Sequence, residues 1–188
     1  MNKTKFIRAA SALLVFTILM GGIGYAAEKP TGAELVERLK NYNPNQQHPR
    51  LLLNRDLIDE VRELINTDAQ FRTWYNSMKS GAVTRLKEGP KGSYVAEWDM
   101  LASADDMILK TINGGLVILI EGDTSETREL VGLIYDCLVY FAAYPEWKDI
   151  VHALDYGEMI AAYGIAYDWL YDFWTENQRR SEEHTSEL

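Results

Sequence analysis

Residues 99–119 read DMLASADDMILKTINGGLVIL. Met100, Leu101, Ala104, Met107, Ile108, Ile112 and Leu119 fall at the spacing of one helical face. Alone, Val117-Ile118-Leu119-Ile120 would suit a strand, but the long periodic run before it decides for a helix. The same beat continues to either side. Upstream, Leu57, Ile58, Val61, Leu64 and Ile65 form one face behind Asn54 and Asp56, a helix-start pair. Asp68 then opens a second helix with Phe71, Trp74, Tyr75, Met78 and Leu86. Gly89-Pro90 and Gly92 make 87–97 a loop. Downstream, Glu121-Gly122-Asp123-Thr124 is a tight connector, and Thr124 or Ser125 caps the next helix. That helix carries Leu130, Val131, Ile134, Leu138 and Phe141 and stops before Pro145. A loop with Trp147 and His152 leads to a last helix over 155–173. No stretch alternates with period two for long enough to build a sheet. The reading is all-α, antiparallel helical hairpins. No repeat of about 34 residues is visible, so a tetratricopeptide array is not supported.

Composition agrees with a packed core: 47% of residues are hydrophobic and 25% charged, the balance of a globular chain. The first 26 residues differ. Lys3, Lys5 and Arg8 precede an apolar run from Ala9 to Ile23, and Gly24-Tyr25-Ala26 supplies small residues at its end. That order describes a signal peptide over 1–26, and the run is short and glycine-broken for a spanning helix. An exported protein, periplasmic or secreted, with no membrane attachment after cleavage is expected. Residues 27–47 form a polar segment with a short helix over 32–40 and a turn-rich linker over 41–47. Residues 48–179 hold the main helical domain. The last nine, RSEEHTSEL over 180–188, resemble a translated sequencing adapter. They are expected to be non-native, with the natural chain continuing past the helix that Thr175 caps. Cys137 is the lone cysteine, which excludes an internal disulfide and suits a buried, inert thiol. The net charge of −9 argues against a nucleic-acid partner and offers no whole-chain attraction for an anionic polymer.

Three ordered blocks resemble the heparinase II/III-like polysaccharide lyases. The first is His48-Pro49-Arg50-Leu51-Leu52-Leu53, followed by Asn54-Arg55-Asp56-Leu57, Arg62 and Trp74-Tyr75. The second is the long helix ending in Leu119-Ile120-Glu121-Gly122-Asp123. The third is Tyr144-Pro145-Glu146-Trp147, Leu154-Asp155-Tyr156-Gly157-Glu158-Met159 and Tyr167-Asp168-Trp169-Leu170-Tyr171-Asp172. The resemblance covers about residues 48–179. It implies the first part of an incomplete (α/α) toroid, with a β-sandwich domain following. It also implies β-elimination at a uronic acid of a heparin/heparan-like or alginate-like polysaccharide. A base takes the proton beside the carboxylate, a neutralising group stabilises the resulting charge, and an acid protonates the leaving oxygen. The Asn, His and Tyr that do this in the family lie beyond Gln178. No catalytic residue, cofactor or metal is therefore assigned to this chain, and the fragment by itself is expected to be inactive. The polysaccharide is the expected partner, and the oligomeric state stays open.

Asp155, Glu158 and Tyr163 are the substrate-binding candidates, because an inner helix of similar toroids begins near them. A plainer account makes Asp155 the N-cap of its helix and Glu158 its capping-box partner, and puts Tyr163, Tyr167 and Leu170 in one core stripe. His152 with Asp155 and Glu158 lacks a further ligand for a metal. Tyr156, Trp169, Tyr171, Phe173 and Trp174 complete an aromatic cluster of the kind that faces sugar rings. His48 reads as a base or, more simply, as a structural histidine. Arg50 reads as a carboxylate ligand or as an anchor for its loop. Two other readings stand: a different toroid enzyme such as an unsaturated glucuronyl hydrolase, and a non-catalytic exported helical module that binds glycan or protein.

Overall fold

The computed structural model describes residues 29–91, 100–144 and 153–185. The signal segment, Trp147 and His152 lie outside these residues. The chain divides into two compact units, Met1–Tyr42 and Asn43–Leu188. In the first, α1 spans Gly32–Tyr42, two residues longer than expected. Its start is a reciprocal cap: Glu34 N–H donates to Thr31 Oγ1 at 3.3 Å, and Thr31 N–H donates to Glu34 Oε2 at 2.7 Å. These hydrogen bonds hold the Glu34 carboxyl below its ordinary range.

The second unit holds α2 (Arg55–Thr67), α3 (Ala69–Lys87), α4 (Met100–Glu121), α5 (Ser125–Ala142), α6 (Ala153–Trp169) and α7 (Glu176–Thr185). The described residues are all-helical, without a strand, and none of their helices is long and apolar enough to cross a membrane. The expected caps form. Asn54 Oδ1 accepts from Leu57 N–H at 2.9 Å. Asp68 Oδ1 accepts from Gln70 and Phe71 N–H at 2.7 and 2.9 Å, so one residue separates α2 from α3. Of the two candidates before α5, Thr124 is the cap, reciprocated by Thr127. Gly122, at φ +73, closes α4 by donating to Ile118 O at 2.9 Å, the left-handed ending that glycine adopts without a Cβ penalty.

The central helix is α4. It packs against α2, α3, α5 and, most extensively, α6. Met107, Val117 and Ile118 of α4 meet Leu86, Leu130, Ile134, Leu138, Phe141, Met159 and Leu170 in the main core. Each large side chain so buried contributes on the order of 1.5–3 kcal/mol. Gly114 and Gly115 set the approach distances. A Cβ on Gly114 would lie 2.8 Å from Leu86 Cδ1, and one on Gly115 would lie 3.1 Å from Trp169 Cε3. Glycine here trades about 1 kcal/mol of helix propensity for close packing on two sides.

Two expectations are corrected, and one helix is extended. The helix expected over 155–173 starts at Ala153 and ends at Trp169, so Asp155 lies inside the first turn and is not its N-cap. The helix that Thr175 precedes, α7, runs to Thr185 and so continues into the tail, helped by an Arg180–Glu176 pair one turn apart. The one-sided α4 of the sequence reading is buried nearly all round, with Ser103, Asp106, Lys110 and Thr111 inside and Leu101 exposed.

Candidate functional site

Both ends of α6 carry unusual polar groups. At its N-terminal end, Asp155 is 4% exposed, and its Oδ1 is buried without a hydrogen-bond partner. Glu158 lies one turn further along, so the two carboxylates share a helix face. Its Oε2 is likewise buried and unpartnered. Native buried acceptors are nearly always satisfied, and an orphaned one costs about 1–3 kcal/mol. Tyr163 is placed differently. It packs against the main core, and its hydroxyl donates to the Leu138 carbonyl of α5. The structure thus keeps Asp155 and Glu158 together and turns the Tyr163 hydroxyl toward α5.

At the C-terminal end, Asp168 is a buried hub. Its Oδ2 accepts from the Arg50 and Leu51 backbone N–H groups at 2.6 and 2.8 Å, and its Oδ1 meets His48 Nδ1 at 2.8 Å. The neighbouring Trp169 Nε1 donates to Leu51 O at 2.8 Å. His48 stacks on Tyr171, with centroids 4.0 Å apart and planes at 13°. This clamp imposes a strained turn: Leu53 N–H reaches Leu51 O at 2.7 Å with Leu52 at φ +63, a conformation L side chains resist. His48 therefore holds its segment in place, and so does Arg50, whose Nε donates to Gln46 O at 3.0 Å.

Beside the clamp lies a cleft of about 250 Å³. Ile58, Leu119 and Trp169, three members of a second apolar cluster, line it together with His48, Arg55 and Arg62. Arg55 pairs with Asp172 at 2.6 Å. Arg62 donates to the carbonyls of Leu119 and Ile120 at 2.7 and 2.9 Å and to Asp59 at 2.7 Å. One residue beyond those carbonyls, Glu121 stands at the unfavourable negative end of α4. Tyr75 donates its hydroxyl to Glu121 at 2.6 Å, and Lys79 approaches at 3.2 Å. The Tyr75 hydrogen bond, then Lys79, draws the Glu121 carboxyl below its ordinary range. Burial, then the same hydrogen bond, pushes the Tyr75 hydroxyl far up.

A third polar group is wholly internal. The Lys110 ammonium, with no side-chain exposure, is held by the Asp106 carboxylate and donates to Gly89 O at 2.5 Å. Arg85 reaches the other Asp106 oxygen at 3.2 Å. The nearby Cys137 is buried, and burial pushes its thiol up to about 11, the inert thiol expected of its apolar helix. No group of three or more metal-ligating side chains occurs among the described residues.

No family model matches the chain, and no curated protein matches it. Sequence reasoning nominated Asp155 and Glu158 but passed over Asp168 and the Asp106–Lys110 pair. The available signal was an acid or a lysine set among apolar neighbours in a helix, as in Tyr167-Asp168-Trp169-Leu170.

Proposed function

We propose that this chain is the N-terminal, helical part of an exported lyase that cleaves uronic-acid-containing polysaccharide by β-elimination. In this reading its hairpins are the first part of an incomplete (α/α) toroid. Asp155 and Glu158 bind the substrate, and the acid–base groups lie beyond the described residues. The observation that carries it is the pair of buried, unpartnered carboxylate oxygens on one face of α6. Such oxygens are acceptors in want of donors, and sugar hydroxyls are donors in abundance. The all-helical hairpin architecture supports it as well. Tyr163 contributes by fixing α6 against α5 through Leu138, which holds the carboxylate face in register.

The test is to recover the reading frame downstream of the Arg179 codon, express the whole product, and follow unsaturated-uronate absorbance with heparin-like and alginate-like polymers. Elimination is expected. Asp155→Asn with Glu158→Gln should raise KM several-fold with a smaller change in kcat, the pattern of lost ground-state binding. A product that eliminates neither polymer would sink the lyase reading and leave a non-catalytic glycan- or protein-binding module.

A further inference from the structure

The cleft at the opposite end of α6 has a use of its own. We propose that it is a second ligand site, which takes an uncharged, polyhydroxylated ring through the free Nε2 of His48. Asp155 and Asp168 are thirteen residues apart on α6, about 20 Å at 1.5 Å per residue, so this is not the carboxylate face described above. The Asp168 carboxylate can only accept, and Arg50 N–H, Leu51 N–H and His48 Nδ1 converge on it. In the neutral imidazole this places the proton on Nδ1 and leaves Nε2 as a lone-pair acceptor. Stacking on Tyr171 fixes the ring plane. Nε2 takes no hydrogen bond among the described residues, and His48 lines the cleft while keeping 13% of its side chain exposed. The site is thus an oriented acceptor, held by a buried carboxylate and opening onto a cavity.

The cleft's charges select the ligand. Arg55 is met by Asp172, and Arg62 by Asp59 and two carbonyls, so no cation is left over for a carboxylate or phosphate. What stays open is the Nε2 lone pair, the outer edges of two ion pairs, and an apolar floor of Ile58, Leu119 and Trp169. A ring with hydroxyls on its rim and C–H groups on its face matches that combination. At about 250 Å³ the cleft falls just below the roughly 300–1,000 Å³ of drug-sized sites, which suits a single sugar ring.

The experiment uses the chain with ¹⁵N-labelled histidine, titrated with methyl glucoside, methyl glucuronide and cyclohexanol. Long-range ¹H–¹⁵N spectra should show His48 protonated at Nδ1, with Nε2 shifting saturably on adding methyl glucoside. His48→Asn keeps a donor for Asp168 at the Nδ1 position and deletes Nε2. By calorimetry it should bind methyl glucoside about tenfold more weakly, while Gly132→Ala on α5, where an added Cβ meets nothing within 4 Å, binds as the parent does. Three results would each overturn the site: no saturable Nε2 shift, tighter binding of methyl glucuronide, or an equal response to cyclohexanol. Should His48→Asn fail to fold, the Nε2 shift of the parent chain decides alone.

Discussion

Lys110 and Asp106 sit one turn apart on α4, and the Lys110 ammonium, wholly withdrawn from solvent, is held by the Asp106 carboxylate. Desolvating two charges costs several kcal/mol each, so such a pair is stabilising only against the loss of one partner. Lys110→Met should therefore destabilise the fold by about 3 kcal/mol, because Asp106 would keep only the half-exposed Arg85. The double change Lys110→Met, Asp106→Leu should recover much of that loss. Urea denaturation of the parent, both single variants and the double variant checks it, and additive losses would show that the pair is not coupled.

Cys137, on the neighbouring α5, feels the charges of the same pair. Its thiol stays protonated up to about 11 in the folded chain, against an ordinary value of 9.0. As pH rises through this interval the unfolded chain releases the thiol proton first, so unfolding is favoured and stability falls. The contribution is intact below about pH 9 and gone above about pH 11. Thermal midpoints across that range should drop more steeply for the parent than for Cys137→Ala. Parallel slopes would remove the thiol as the cause. At pH 8 a thiol reagent should modify Cys137 only after denaturant is added.

The helices and their caps were legible because local chemistry sets them. Asn54, Asp68 and Thr124 each bond the first turn that follows, and Gly122 takes the left-handed ending in Glu121-Gly122-Asp123. The error at Ala153 has an equally local cause: the sequence offers Asp155 as an N-cap, but the carboxylate is buried inside the first turn. The cleft was not legible. His48 and Asp168 stand 120 residues apart, and no periodicity reports that a backbone segment will dock on a carboxylate so distant. The inside position of Lys110 escaped for a similar reason, since a lysine on an amphipathic pattern reads as solvated until packing on all sides shows otherwise.

The Asp168 clamp makes a local prediction. Asp168→Ala removes the acceptor shared by His48, Arg50 and Leu51 and leaves two backbone donors unsatisfied, at a cost of about 2–4 kcal/mol. Amide exchange at Arg50 and Leu51 should accelerate far more than exchange in the α5 core. Uniform acceleration across the chain would mean that Asp168 acts globally and not as a clamp.

Arg62 closes the end of α4 by donating to the Leu119 and Ile120 carbonyls, two of the acceptors a helix terminus leaves open. Its fork geometry serves both at once, which an ammonium on a flexible stem does not reproduce. Arg62→Lys should cost about 1 kcal/mol and Arg62→Ala about 2 kcal/mol, somewhat reduced by the exposure of the side chain. Chemical denaturation gives both numbers, and an Arg62→Lys protein as stable as the parent, with the whole loss confined to Arg62→Ala, would argue that packing by the stem, and not the fork, supports this terminus.

Gly115 faces Trp169, and a Cβ placed there would stand 3.1 Å from Trp169 Cε3. Two effects oppose one another in Gly115→Ala. Helix propensity gains about 1 kcal/mol, and overpacking costs about 1–3 kcal/mol unless the neighbour yields. Trp169 is poorly placed to yield: it is buried in the cluster with Ile58, Leu119 and Ile165 and tied through Nε1 to Leu51 O at 2.8 Å. Overpacking should win, for a net loss of about 1 kcal/mol, together with a shifted Trp169 indole N–H resonance as its bond to Leu51 loosens. Gly132→Ala on α5 is the control, since nothing lies within 4 Å of its Cβ position and only the propensity gain remains. A stabilised Gly115→Ala protein would mean that Trp169 moves freely and that the Leu51 bond does not hold the ring.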